Sequence, residues 1–204
     1  MILTVLRAYT ELMTRFSMIV EKLISESDID SQEPEFTISD INGEHHVIDL
    51  RKEPSASVIY NEQCTTDDIR AFNKWLRAHA NDYVRLYHGT SSKFDIMYQG
   101  LLKTSARRRN SYQSASGYVY LSIYPSSARI FGEIAYPHQE ITVYAVDIKI
   151  SELCPDTDQL FNKRRNGFGD FDYIGTTLAD SLVFGHGARV RREIKPYEIH
   201  PTAY

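Results

Sequence analysis

Cysteine is almost missing: the 204 residues include two, Cys64 and Cys154. So few, so far apart, supply neither a disulfide framework nor a zinc-ligand spacing. A reducing compartment is the plain expectation. No run of about 18 apolar residues occurs, so no membrane-spanning helix and no membrane role are expected. The N-terminus lacks the basic stretch and small-residue cleavage site of a secretion signal. A cytoplasmic protein, or one delivered into a target cytoplasm, follows as the expectation. There are no internal repeats and no low-complexity tracts. No phosphate loop, dinucleotide fingerprint or zinc-protease motif is found. "GFGDFDYIG" has closely spaced glycines, but no strand leads into it and no helix follows, so it is rejected as a nucleotide-binding turn. No nucleophile elbow supports a Ser-His-Asp triad. His45 and His46 are adjacent, face opposite sides of a strand and make a poor metal pair. No metal is expected.

What is present is aromatic and unevenly charged. There are 14 Tyr and 9 Phe, with 42% hydrophobic and 25% charged residues, enough to build a sizeable core. The net charge of −4 hides an asymmetry: residues 1–84 are acidic, while 85–204 are basic. The cations gather as Lys103 with Arg107, Arg108 and Arg109, as Lys163, Arg164 and Arg165, and as Arg189, Arg191 and Arg192. Clusters of this kind are either solvated faces or contacts for a phosphate-bearing ligand.

Residues 1–25 form an amphipathic helix pattern: Ile2, Val5, Tyr9, Leu12, Phe16, Ile19 and Leu23 recur at steps of three and four. Its stripe suits packing on its own chain, a dimer mate or a neutralising partner such as an antitoxin. "FTISDINGEHHVIDL" reads as a hairpin around Asn42-Gly43. "TTDDIRAFNKWLRAHA" reads as a helix capped by Thr65 or Thr66, with Ile69, Phe72, Trp75 and Leu76 on one face. Residues 1–84 are therefore expected to be a helix–hairpin–helix extension without chemistry. From residue 85 short strands dominate: "RLYH", "YVYLSI", "ITVYAVDI", "SLVF" and "VRREIKPYEI". Helices are expected over 93–100 and 126–131, a basic loop over 103–117, and a long polar loop over "PDTDQLFNKRRNGFGDFDYIG". The pattern predicts an α+β domain, 85–204, on a packed pair of sheets.

"RLYHGTSSKFDIMYQGLL" places a histidine and a glycine where a strand meets a loop. A histidine there presents a ring nitrogen, and a glycine admits close approach to the backbone. Further on, "GYVYLSIYPSSARIFG" puts Tyr118 and Tyr120 on one strand face. The ordered set of "LYHGTS", a helix, "GL", a basic loop and "YVYLS" before an "A-x-x-F-G" helix resembles the ADP-ribosyltransferase superfamily. More narrowly it resembles the His-Tyr branch, with the fold of diphtheria toxin and the poly(ADP-ribose) polymerases. The local likeness is greatest to rifampin ADP-ribosyltransferases, which also open with Tyr-His-Gly-Thr. The resemblance covers about 85–200.

The resemblance implies a split β-sandwich transferase fold and NAD as co-substrate. ADP-ribose would pass to a protein, nucleic acid or small molecule, in the manner of a toxin or effector. It implies that His88 holds a ribose hydroxyl, the Gly89 backbone takes the carboxamide, and Tyr120 stacks on nicotinamide with Tyr118 as second candidate. Thr90, Ser91 and Ser122 would line the pocket, and Arg107 and Arg108 would meet the pyrophosphate. The third catalytic position departs from the commoner pattern, because Val190 stands where a glutamate is usual. Asp156 is the leading candidate for that carboxylate, followed by Asp158, with Glu193 three residues late. A cap or turn after Pro155 is the structural alternative for Asp156. Two other functions stay open at this point: an RNA 2′-phosphotransferase and an inactive nucleotide or ADP-ribose binding module.

Overall fold

The computed structural model describes residues 38–40, 43–61, 64–104, 107–109, 112–166 and 175–203. The amphipathic segment 1–25 lies outside the described residues. Strands β1 (Ile38–Asp40) and β2 (Gly43–His45) pair antiparallel with Asp40 opposite Gly43. Gly43 is thus a paired strand residue and not a turn position, and Asn42 lies outside the described residues. Strand β3 (Val47–Ile48) follows, then a 3-10 helix over Pro54–Tyr60. Helix α1 (Thr66–Ala78) starts at Thr65, whose hydroxyl accepts from the Asp68 N–H while the Asp68 carboxylate accepts from the Thr65 N–H. This reciprocal cap satisfies two of the donors that a helix start leaves open.

The long strands are β4 (Tyr83–Ser91) and β8 (Ile141–Lys149). Between them lie α2 (Ile96–Gln99), β5 (Arg107–Arg109), β6 (Tyr112–Ser114), β7 (Val119–Ser122) and α3 (Pro125–Ala135). After β8 come β9 (Leu153–Pro155), α4 (Thr157–Asn166), α5 (Leu178–Gly185), β10 (Gly187–Val190) and β11 (Ile199–Pro201). The protein is mixed α+β. Seven of the described strands form one mostly antiparallel sheet in the order β11-β8-β4-β7-β10-β9, with β3 parallel to β4. β4 and β8 are paired from Tyr83 to Ser91, whereas β4 and β7 share only Tyr87 opposite Ser122. The strands thus form one ladder that parts in the middle, where the sequence suggested two separate packed sheets.

Period-two alternation gives the sheet two faces. Val84, Leu86, Val119, Leu121, Val146, Ile148, Ala188 and Val190 bury one face against Phe72 and Leu76 of α1 and Leu182 and Val183 of α5. Ile48, Val58, Ile59 and Ile69 belong to the same cluster, so the described part of the 1–84 segment from Val47 onward is built into this core. Tyr87, Val143 and Ala145 face the other way and pack with Ala128 of α3. Here the contact is backbone-close: a Cβ on Gly89 would lie 2.0 Å from the Ala128 carbonyl oxygen.

Several elements differ from the sequence reading. "SLVF" is helix, not strand: Thr177 and Asp180 form a second reciprocal cap, and Ala179 to Phe184 are all buried. A short apolar run can be a buried strand or a buried helix, and here the upstream cap decides. The polar stretch from Pro155 contains α4. The helix over 93–100 shrinks to Ile96–Gln99, ended by Gly100 at φ +78°. The basic loop carries the β5–β6 hairpin. "VRREIKPYEI" is broken after Val190: Arg192 is held by Glu152 and Glu198, Ile194 bridges to Leu101, and a 3-10 turn over Pro196–Glu198 leads into β11.

Candidate active site around His88, Tyr120 and Asp158

The site lies where β4 and β7 part. Beyond the Tyr87–Ser122 pair no further ladder pairing joins these two strands. The His88 ring bridges them, with Nδ1 2.8 Å from the Tyr120 carbonyl oxygen. A carbonyl only accepts, so Nδ1 carries the proton and Nε2 of the neutral ring is an acceptor. Burial pushes His88 below the ordinary histidine value, and the bond to the Tyr120 carbonyl opposes this more weakly. The ring is neutral at pH 7.

Tyr120 is opposite Arg189 of β10, and Arg189 is opposite Cys154 of β9, so these side chains share one sheet face. The first turn of α4 reaches this row. The Tyr120 hydroxyl donates to Asp158 Oδ2 at 2.6 Å, and the Ala115 N–H donates to the same oxygen at 2.8 Å. Arg189 Nη1 stands 3.4 Å from that oxygen, and Nη2 donates to Thr157 Oγ1 at 2.8 Å. Burial raises the Tyr120 phenol, and the hydrogen bond to Asp158 raises it further, so it stays protonated. The guanidinium of Arg189 lies 4.0 Å from the centre of the Tyr118 ring, a cation–π contact. The rings of Tyr118 and Tyr120 are 6.4 Å apart.

The structure separates the candidate carboxylates. Asp158 meets Tyr120. Asp156, buried to 4% exposure, caps α4: its Oδ1 accepts from the Asp158 and Gln159 N–H groups. Its own N–H donates to Ser181 Oγ. Burial pushes the Asp156 carboxyl up to about 6, partly offset by the bond from the Gln159 N–H. Glu193 is exposed beyond the end of β10, with Lys195 3.7 Å away.

The remaining candidates are mostly held by the scaffold. Ser91 is buried and donates to the Gln139 side chain. Thr90 is buried as well. Ser122 donates to the His186 carbonyl and accepts from the Tyr124 N–H. The space above Gly89 is filled by α3, so its missing side chain is explained by helix packing before any ligand is considered. Arg107 and Arg108 lie on β5, and the hairpin returns to the site through Ala115, whose carbonyl accepts from Thr104 and lies 3.2 Å from the Tyr120 hydroxyl. Sequence reasoning placed Arg189 only in a basic cluster, without a role beside Tyr120, and missed Thr157 and Ala115. The alternation in "ARVR" was the available signal, since Ala188 and Val190 face the core and Arg189 must face Tyr120's side.

Among the described residues no group of His, Cys, Asp or Glu is arranged to hold a metal ion, and no helix is long and apolar enough to cross a membrane. A groove of about 310 Å³ lined by Asn73, Leu76, Arg77, Ile150 and Leu178 among others shares no residue with the site. Comparison with known proteins gives no match: no family model, curated protein or solved structure is detectably similar to the chain.

Proposed function

We propose that the chain is an NAD-dependent ADP-ribosyltransferase of the His-Tyr branch, with residues 85–204 adopting that family's split-sheet fold. The observation that carries the reading is one constellation. A neutral histidine is tied to the backbone of Tyr120 on the neighbouring strand, and the Tyr120 hydroxyl is tied to a carboxylate. Cleavage of the nicotinamide–ribose bond builds positive charge on the ribose, as in glycoside hydrolysis. His88 Nε2 accepts a hydrogen bond from a ribose hydroxyl. Tyr120 offers its ring face to nicotinamide, and the Gly89 backbone takes the carboxamide.

Asp158 is the better third residue, because it meets Tyr120 while Asp156 caps a helix. A carboxylate beside the ribose acts on charge that develops in the transition state. The C1′–N bond breaks with its electron pair leaving on nicotinamide. A lone pair of the acceptor forms the new bond to C1′, and the acceptor's proton passes to Asp158. The acceptor is a protein, nucleic acid or small molecule, and the setting is a toxin or effector acting in a cytoplasm. Nicotinamide release from NAD, with and without cell lysate, tests the reading. Wild-type protein should release it, and His88→Ala should lose release while still unfolding cooperatively as a folded protein. Equal release by a folded His88→Ala protein, or none by the wild type, overturns the assignment.

A further inference from the structure

Arg189 has no role in the reading above, yet it is the most buried cation at the site. It is 8% exposed, and among the described residues its Nε is buried without a hydrogen-bond partner. Keeping a charge there costs free energy unless its contacts compensate. Those contacts join three elements: Asp158 and Thr157 at the start of α4, the Tyr118 ring at the entry to β7, and the backbone of β10. A residue needed only for packing on this face could be apolar, as Ala188 and Val190 are on the other.

Resting on the transferase reading, we propose that Arg189 is a positioning residue that holds the Asp158 carboxylate beside Tyr120 in the geometry transfer requires. Its planar fork divides its two terminal nitrogens between the carboxylate and the Thr157 hydroxyl, which fixes Asp158 in direction as well as in distance. The Tyr118 ring holds the plane of that fork. Lysine offers a point charge and no fork, so it can supply attraction without orientation. Removing the guanidinium frees Asp158 to pivot about its bonds to Tyr120 and Ala115, and a misplacement of about 1 Å costs on the order of 100-fold in rate.

The test compares wild type, Arg189→Ala and Arg189→Lys in NAD binding and in nicotinamide release, with melting temperatures as the folding control. Arg189→Ala should keep NAD affinity within about threefold and lose about 100-fold in kcat. Arg189→Lys should fall between the two. Added guanidinium ion, and not sodium, should restore turnover to Arg189→Ala. Unchanged kcat in a folded Arg189→Ala protein overturns the positioning role while leaving the transferase reading standing. Loss confined to NAD affinity, or turnover that guanidinium does not restore in a folded protein, overturns it too. A wild type that releases no nicotinamide overturns both.

Discussion

Asp156 and Asp158 stand two positions apart in one short motif, and their surroundings give them opposite tasks. Asp158 carries donors from a phenol, a backbone amide and a guanidinium. Asp156 is buried and its carboxyl is raised to about 6, with burial as the leading cause. A carboxyl with a raised folded pKa binds its proton more tightly when folded. Its stabilising effect is present below the unfolded value near 4 and is lost as pH rises through about 6. Asparagine keeps the capping oxygen and cannot ionise. Asp156→Asn is expected to gain stability relative to wild type between pH 4 and pH 7, on the order of 2 kcal/mol. Urea unfolding at the two pH values measures this, and parallel curves for the two proteins would show that Asp156 does not titrate there. Nicotinamide release should largely survive the substitution.

At the scale of elements, the legible parts were those announced by their own residues. Helix α1 was readable because Thr65, Asp68 and the Ile69–Phe72–Leu76 face state both its start and its buried side. Strands β4, β7 and β8 were readable from their apolar runs, and His88 and Tyr120 came with them. Helix α5 was not, because its apolar residues are buried all round and carry no 3.6-residue stripe. Asp158's partnership with Tyr120 was illegible for a different reason: it depends on where α4 meets the sheet, 38 residues away in sequence. Gly89 shows how one residue can carry an element's placement. A methyl group there would collide with the Ala128 carbonyl at 2.0 Å, and a backbone atom cannot rotate away. Gly89→Ala should therefore push α3 off β4 and destabilise the fold by about 1–3 kcal/mol. Thermal melting without any ligand reads this out. A melting temperature equal to wild type would mean that the glycine serves a ligand and not the helix.

For the whole molecule, β4, β8 and β11 are fastened together by a buried ionic cluster. Arg85 donates to both oxygens of Asp147 at 2.8 and 2.7 Å, and His200 Nε2 of β11 lies 2.9 Å from the same carboxylate. Burial works to raise Asp147, but Arg85 and His200 hold it below the usual carboxylate range. Asp147→Ala removes the carboxylate that Arg85 and His200 share and should destabilise the fold by about 1–3 kcal/mol. A double-mutant cycle with Arg85→Ala measures the coupling, and additive single losses would show that the pair is not coupled. This fastening lies wholly on one side of the line where β4 and β7 part. In its backbone pairing the sheet has a welded half and a seam, which one strand pair and the His88 imidazole cross. Fewer ladder bonds join β4 to β7 than join β4 to β8. The bond between His88 and the Tyr120 carbonyl acts there as a stitch, so the ring proposed to hold a ribose also ties the two halves of the sheet together.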